Sequence, residues 1–134
     1  MSANFATQYR IYYEDTDSGG VVYYANYLKF FERARTDFLR SLNISQSLLQ
    51  KEEGVIFVVS ECQIKYRKPA KLDDLVTVNV VVENIGVVSI EMKQQMSLDD
   101  MLLAELKVTI VNLDASSFKP KKISDSLLAS LRGC

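Results

Sequence analysis

The residues best suited to chemistry lie in one short run, Glu14-Asp15-Thr16-Asp17-Ser18-Gly19-Gly20. Its carboxylates come just before a glycine pair, which permits unusual backbone angles and close approach of another molecule. The next residues, Val21-Val22-Tyr23-Tyr24, are apolar and predict that the chain turns back into the protein. A helical pattern begins at residues 24–26. The first backbone N–H groups of a helix have no intrahelical acceptor. They favour negative charge, including that of a carbonyl oxygen that becomes anionic during reaction. The same residue types build ordinary turns and caps, and taken alone the run reads first as a capping segment.

The composition narrows the chemistry. The chain has no histidine, so a Ser-His-Asp triad, a Cys-His pair and an imidazole base are excluded. Two cysteines, Cys62 and Cys134, make neither a zinc cluster nor a disulfide framework. Cys62 lies in an apolar run and is expected to be a small buried hydrophobe, and Cys134 to fray at the end of the chain. A reduced, cytoplasmic protein is the expectation. Sixteen basic and seventeen acidic residues give a net charge of −1, which argues against a nucleic-acid partner. Residues 1–7 lack the pattern of a leader, and no apolar run reaches the ~18 residues of a membrane span. A lone carboxylate, without metal or cofactor, suits thioester hydrolysis. The leaving thiolate has a parent pKa of about 8.5 and needs little help from an acid. The carboxylate can activate water as a general base or attack as a nucleophile.

These residues need elements to hold them. With 134 residues, 48% of them hydrophobic, the chain is expected to form one domain over residues 1–134. Residues 8–13 read as a strand, being rich in aromatic and β-branched types. Residues 25–41 read as a helix, with Tyr27, Phe30, Phe31, Ala34, Phe38 and Leu42 on one aromatic face. Ser45 caps a second helix through residue 52, which Gly54 stops. Strands are expected at 55–68, 75–83, 87–97 and 102–113, with turns at 84–86 and 98–101, and a closing helix at 124–131. This order is α+β: a curved antiparallel sheet of about five strands wrapped around one long helix. Its free edges predict pairing with another copy, as a dimer or larger.

The segment YYEDTDSGGVVYYANYLKFFERART closely resembles the signature of hotdog-fold acyl-CoA thioesterases of the YbgC and 4-hydroxybenzoyl-CoA thioesterase type. The likeness continues through FVVSECQIKYRKPAKLDDLVTV and, more weakly, through FKPKKI, so it spans residues 9–123. It implies a hotdog fold and hydrolysis of an acyl-CoA. It implies Asp17 as catalytic carboxylate, in either of its two roles, and the backbone N–H of Tyr24 as the group that polarises the carbonyl. It further implies homodimers or homotetramers with sites at the subunit interface. Acyl carrier protein is a candidate partner, and the YbgC branch adds the Tol–Pal envelope system with its lipid enzymes. YbgC-type sequences usually carry histidine where this chain has Tyr24, whereas the hydroxybenzoyl branch has tyrosine. The arginine cluster that grips coenzyme phosphates in that branch has no clear counterpart near residues 85–88.

Other residues are candidates for the substrate site. Gly20 would allow close approach. Tyr13 and Tyr23 would line an acyl pocket or pack against the helix. Asn26 would orient the loop or cap the helix, and Glu14 and Asp15 would support the site or cap the turn. Ser60 would reach a partner's site. Arg67 and Lys68 would meet the coenzyme phosphates or remain a solvated surface. Glu32, Arg33 and Arg35 are expected in ion pairs at the surface or an interface. The competing reading is a non-catalytic module that binds CoA or acyl carrier protein thioesters, or an envelope-complex scaffold. Dehydration of a hydroxyacyl thioester ranks low, because that chemistry commonly uses a histidine base.

Overall fold

The computed structural model describes residues 4–132; the expectation for Cys134 lies outside them. The elements in chain order are β1 (Asn4–Arg10), a 3-10 turn (Tyr13–Asp15), α1 (Asn26–Ser41), α2 (Gln46–Glu53), β2 (Val55–Tyr66), β3 (Leu75–Ile85), β4 (Ser89–Leu98), β5 (Met101–Asp114) and α3 (Asp125–Arg132). The strands form one five-stranded sheet in the order β1-β3-β4-β5-β2, and every neighbouring pair is antiparallel. No helix among the described residues is long and apolar enough to cross a membrane.

One face of this sheet is apolar. Alternation buries Val76, Val78, Val80 and Val82 of β3 and Ile90, Met92 and Met96 of β4, as expected for a sheet with one covered face. Their cover is α1, which buries Tyr27, Phe30, Phe31, Ala34, Phe38 and Leu39 in the same hydrophobic cluster. The predicted face is therefore present, with Leu39 in place of Leu42, which is only partly buried. α1 packs on β1 and β3, and the Tyr9 hydroxyl of β1 donates to the Asp37 carboxylate of α1. Arg35 is a correction: it is half-buried and donates to the neutral Gln94 side chain at 2.8 Å.

The short helix α2 follows the predicted signals. Ser45 accepts the Leu48 N–H, and Gly54 ends the helix with φ 67°. The β4–β5 connection is the expected tight hairpin, with Asp99 at φ 52°. The first strand is a correction. It covers Asn4–Arg10, because each of its residues pairs with β3 from Asn4↔Val81 to Arg10↔Leu75. That ladder ends where β3 begins, so Tyr12 and Tyr13 leave the sheet and stand 61% and 82% exposed. Aromatic composition marked the right region, but the register was set by β3.

Cys62 is a third correction: it is exposed. It pairs with buried Val108 and so lies on the inner side of β2. α1 packs mainly on β1 and β3 and reaches β4 through Arg35 and Phe31; α2 packs on β2, whose first residues Val55, Ile56 and Phe57 are sheltered. Further along, Val59 and Tyr66 remain 47% and 44% exposed. Loss of the aromatic core should be felt globally: Phe31, with 0% exposure, is predicted to cost about 3–5 kcal/mol when changed to alanine, measured by urea denaturation.

Candidate active site

The predicted loop is held by backbone bonds at both ends. Thr16 bridges Val22 in antiparallel fashion, the Asp17 N–H donates to Val21 O at 2.9 Å, and the Gly20 N–H donates to Asp17 O at 3.1 Å. Gly20 has φ +79°, a conformation that side-chain-bearing residues rarely adopt. The Asp17 carboxylate is exposed and accepts the Gly19 N–H at 2.8 Å. A Cβ on Gly19 would lie 3.2 Å from that carboxylate oxygen, so the pairing of Asp17 with Gly19 has a steric basis.

The far side of the loop is fastened to the chain that follows β2. Val21 bridges Lys71, the Val22 N–H donates to Ala70 O at 2.8 Å, and the Leu72 N–H donates to Gly20 O at 3.1 Å. Ala70 is fully buried, and its N–H donates to the Tyr27 hydroxyl of α1 at 3.0 Å. The loop, the 70–72 segment and the first turn of α1 thus form one junction.

Asp15 is the knot of this junction. It is 3% exposed. Its carboxylate accepts Lys29 Nζ at 2.5 Å and the Tyr12 N–H at 2.8 Å. Its carbonyl accepts Asn26 Nδ2 at 3.0 Å and the Tyr23 N–H at 3.3 Å. Asn26 therefore orients the loop rather than capping the helix, and the N-cap is Ala25, with no side-chain cap bond. Burial is the largest single influence on the Asp15 carboxyl and opposes its ionisation. The hydrogen bonds from Lys29 and Tyr12, with the charges of Lys29 and Arg33, together outweigh it and hold the carboxyl below its usual range.

Tyr24 is 62% exposed, and Tyr23 is 48% exposed. Their rings lie 4.8 Å apart. The Tyr24 carbonyl accepts the Tyr66 hydroxyl from β2 at 2.9 Å. Just beyond it, the Asn26 N–H turns back to Tyr23 O at 2.8 Å. Neither bond uses the Tyr24 N–H. The first turn of α1 carries no acidic residue, so its positive end is not neutralised from within the helix.

Asp17, Gly20, Tyr23, Tyr24 and Asn26 are therefore gathered on one loop and helix start. Tyr13 is not packed against the helix, as its 82% exposure requires. Ser60 is exposed at the β2 bulge between Val59 and Glu61, and its hydroxyl donates to Thr109 O at 3.3 Å. It lies six residues before Tyr66, about 20 Å along the strand, so it does not share this loop within one chain. Arg67 donates through Nε and Nη2 to a single Glu105 oxygen, at 2.9 and 2.7 Å. Lys68 is exposed, with its N–H on Leu103 O at 3.1 Å. Sequence reasoning missed Lys29 and Tyr66, whose partners lie 14 and 42 positions away; no local pattern encodes such contacts.

The stability that Asp15 contributes follows from its direction of shift. A carboxyl whose folded value lies below its ordinary 3.8 adds stability that is fully present above that value and is lost as the pH falls through the folded value. Asp15→Asn is predicted to be less stable than wild type by about 2 kcal/mol near neutral pH. The gap should narrow below about pH 4, as read by denaturant titrations across pH; a pH-independent gap would contradict this account.

The family comparisons agree with this architecture. The thioesterase-like superfamily matches residues 12–131. The acyl-CoA thioesterase YbgC of Haemophilus influenzae is 43% identical over 120 residues, covering 90% of this chain and 88% of that protein. The acyl-CoA thioester hydrolase YbgC of Escherichia coli O6:H1 is 39% identical over 124 residues, 92% of each chain. Among solved structures, that of a probable thioesterase from Bartonella henselae superposes with a TM-score of 0.87 at 34% identity, covering 91% of this chain and all of that one. By sequence and by fold, the chain belongs to the thioesterase-like superfamily, in its hotdog-fold YbgC branch.

Proposed function

We propose that this chain is an acyl-CoA thioesterase, with Asp17 as the reacting carboxylate and the Tyr24 N–H at the start of α1 as the carbonyl-polarising donor. The observation that carries this reading is the junction itself. A carboxylate on a braced loop precedes a helix start without side-chain capping, in a chain 43% identical to a protein named as an acyl-CoA thioesterase.

The mechanism follows from charge. The thioester carbonyl would lie between the Asp17 loop and the Tyr24 N–H. Attack at the carbonyl carbon moves an electron pair onto oxygen. The amide and the helix dipole stabilise that oxygen more in the transition state than in the ground state. Asp17 either takes a proton from water as the water adds, or adds directly to give a mixed anhydride that water then opens. In both routes the carbon–sulfur bond breaks, and coenzyme A departs as a thiolate.

The exposed Asp17 would gain its enclosure from a second copy. The inner strip of β2 that leaves Val59, Cys62 and Tyr66 exposed lies on an edge strand, and such edges favour pairing. A homodimer or homotetramer with interfacial sites fits this strip, and it gives Ser60 a route to the partner's loop. Arg67 and Lys68 follow the same strand and would meet the phosphates, Arg67 by exchanging Glu105 for a phosphate.

The direct test is release of free thiol from short-chain, long-chain and aromatic acyl-CoAs. Asp17→Asn is predicted to lose at least ~10²-fold in turnover, and equal rates for the two proteins on every substrate would overturn the assignment. CoA binding without thiol release would instead favour the non-catalytic module. Sedimentation at micromolar concentration is predicted to give a dimer or tetramer; a stable monomer would contradict the interfacial site.

A further inference from the structure

Among the described residues Asp15 is the one buried carboxylate. Its pair with Lys29 is part-buried, and desolvation offsets some of the attraction. Its position is more informative than its energy. The side chain ties the segment just after β1, through the Tyr12 N–H, to the first turn of α1, through Lys29. The carbonyl of the same residue holds the Asn26 side chain and the Tyr23 N–H. Residue 16 then enters the Thr16–Val22 bridge, and residue 17 is the proposed reacting carboxylate. One residue therefore sets the spacing between the carboxylate loop and the peptide that precedes the Tyr24 N–H.

We propose that Asp15 and Lys29 are positioning residues for the reaction: their ion pair fixes Asp17 relative to the Tyr24 N–H. This inference rests on the thioesterase reading and deepens it. Lys29 touches no reacting atom in this scheme; it acts through Asp15. Displacing a reacting group by about 1 Å costs on the order of 10² in rate, so a small shift of the loop is enough to matter.

The titration behaviour separates positioning from mere folding. Asp15 is faced by Lys29 and Arg33 from α1 and borders a cavity lined by Tyr9, Arg10 and Tyr12 from the first strand and its end, and by Glu14 from its own turn. Removing the Lys29 ammonium leaves the carboxyl buried with one hydrogen bond and one favourable charge fewer. It then titrates at higher pH, and protonation weakens its hold on the Tyr12 N–H.

The test compares kcat, KM and pH profiles of the intact protein on its best acyl-CoA. Lys29→Met is predicted to lower kcat by about 10- to 100-fold with KM within about threefold of wild type, and to move the acid limb of kcat upward. Lys29→Arg should restore most of the loss. Lys93→Met, which breaks the distant Lys93–Glu83 pair of 3.1 Å, should keep the wild-type kcat. Lys29→Gln retains a donor without charge; it serves if the methionine variant does not fold, and it should also show the lower kcat and the raised acid limb. Folded Lys29→Met or Lys29→Gln with wild-type kcat and an unmoved acid limb would overturn the positioning role. If Asp17→Asn loses activity while these variants do not, the positioning role alone fails; if Asp17→Asn is fully active, the parent reading fails.

Discussion

An antiparallel sheet with one apolar face must bury that face, and this chain has one 16-residue helix to do most of the burying. The contact between the valine face of β3 and the aromatic face of α1 is therefore the constraint from which the rest follows. It fixes where α1 lies, and so where its first turn emerges. The chain leaves β1 at one edge of the sheet and must enter α1 over β1 and β3, so residues 11–25 have little freedom. Bonds to Asp15, to the 70–72 segment and to Tyr66 pin that crossing without using the Tyr24 N–H.

The same constraint explains what is left uncovered. Covering β1 and β3 leaves much of the inner side of β2 bare, because α2 reaches only its beginning. The loop that carries Asp17 is likewise open to solvent. Rigid backbone and open surroundings are compatible: the loop is held from behind, by the junction, and free in front. A site of this kind takes its geometry from its own chain, and under the proposed assembly it takes its enclosure from a neighbour.

Much of this was legible in the sequence because the signals are local. The recurrence of Tyr27, Phe30, Phe31, Ala34 and Phe38 gave the helix and its buried face. Ser45 and Gly54 gave both ends of α2, and Gly20 marked a position that needs positive φ. The losses share one cause, which is that their determinants lie far along the chain. Aromatic content drew the first strand toward residues 8–13, but its register is set by pairing with residues 75–81. Cys62 sits in an apolar run, yet its exposure depends on which strand the helix covers. Arg67 reads as a free cation until Glu105 arrives from β5. Lys29 looks like an ordinary surface lysine until its partner is known.

The central claim is that an acyl carbonyl lies between the Asp17 carboxylate and the Tyr24 N–H. The most direct measurement is a crystal structure of the native oligomer with a ketone analogue of acyl-CoA, in which a methylene replaces the thioester sulfur. The account predicts the carbonyl oxygen about 2.7–3.1 Å from the Tyr24 nitrogen, with the Asp17 carboxylate facing the carbonyl carbon directly or through one water. An analogue bound with its carbonyl away from the Tyr24 amide, and Asp17 directed into bulk solvent, would contradict it.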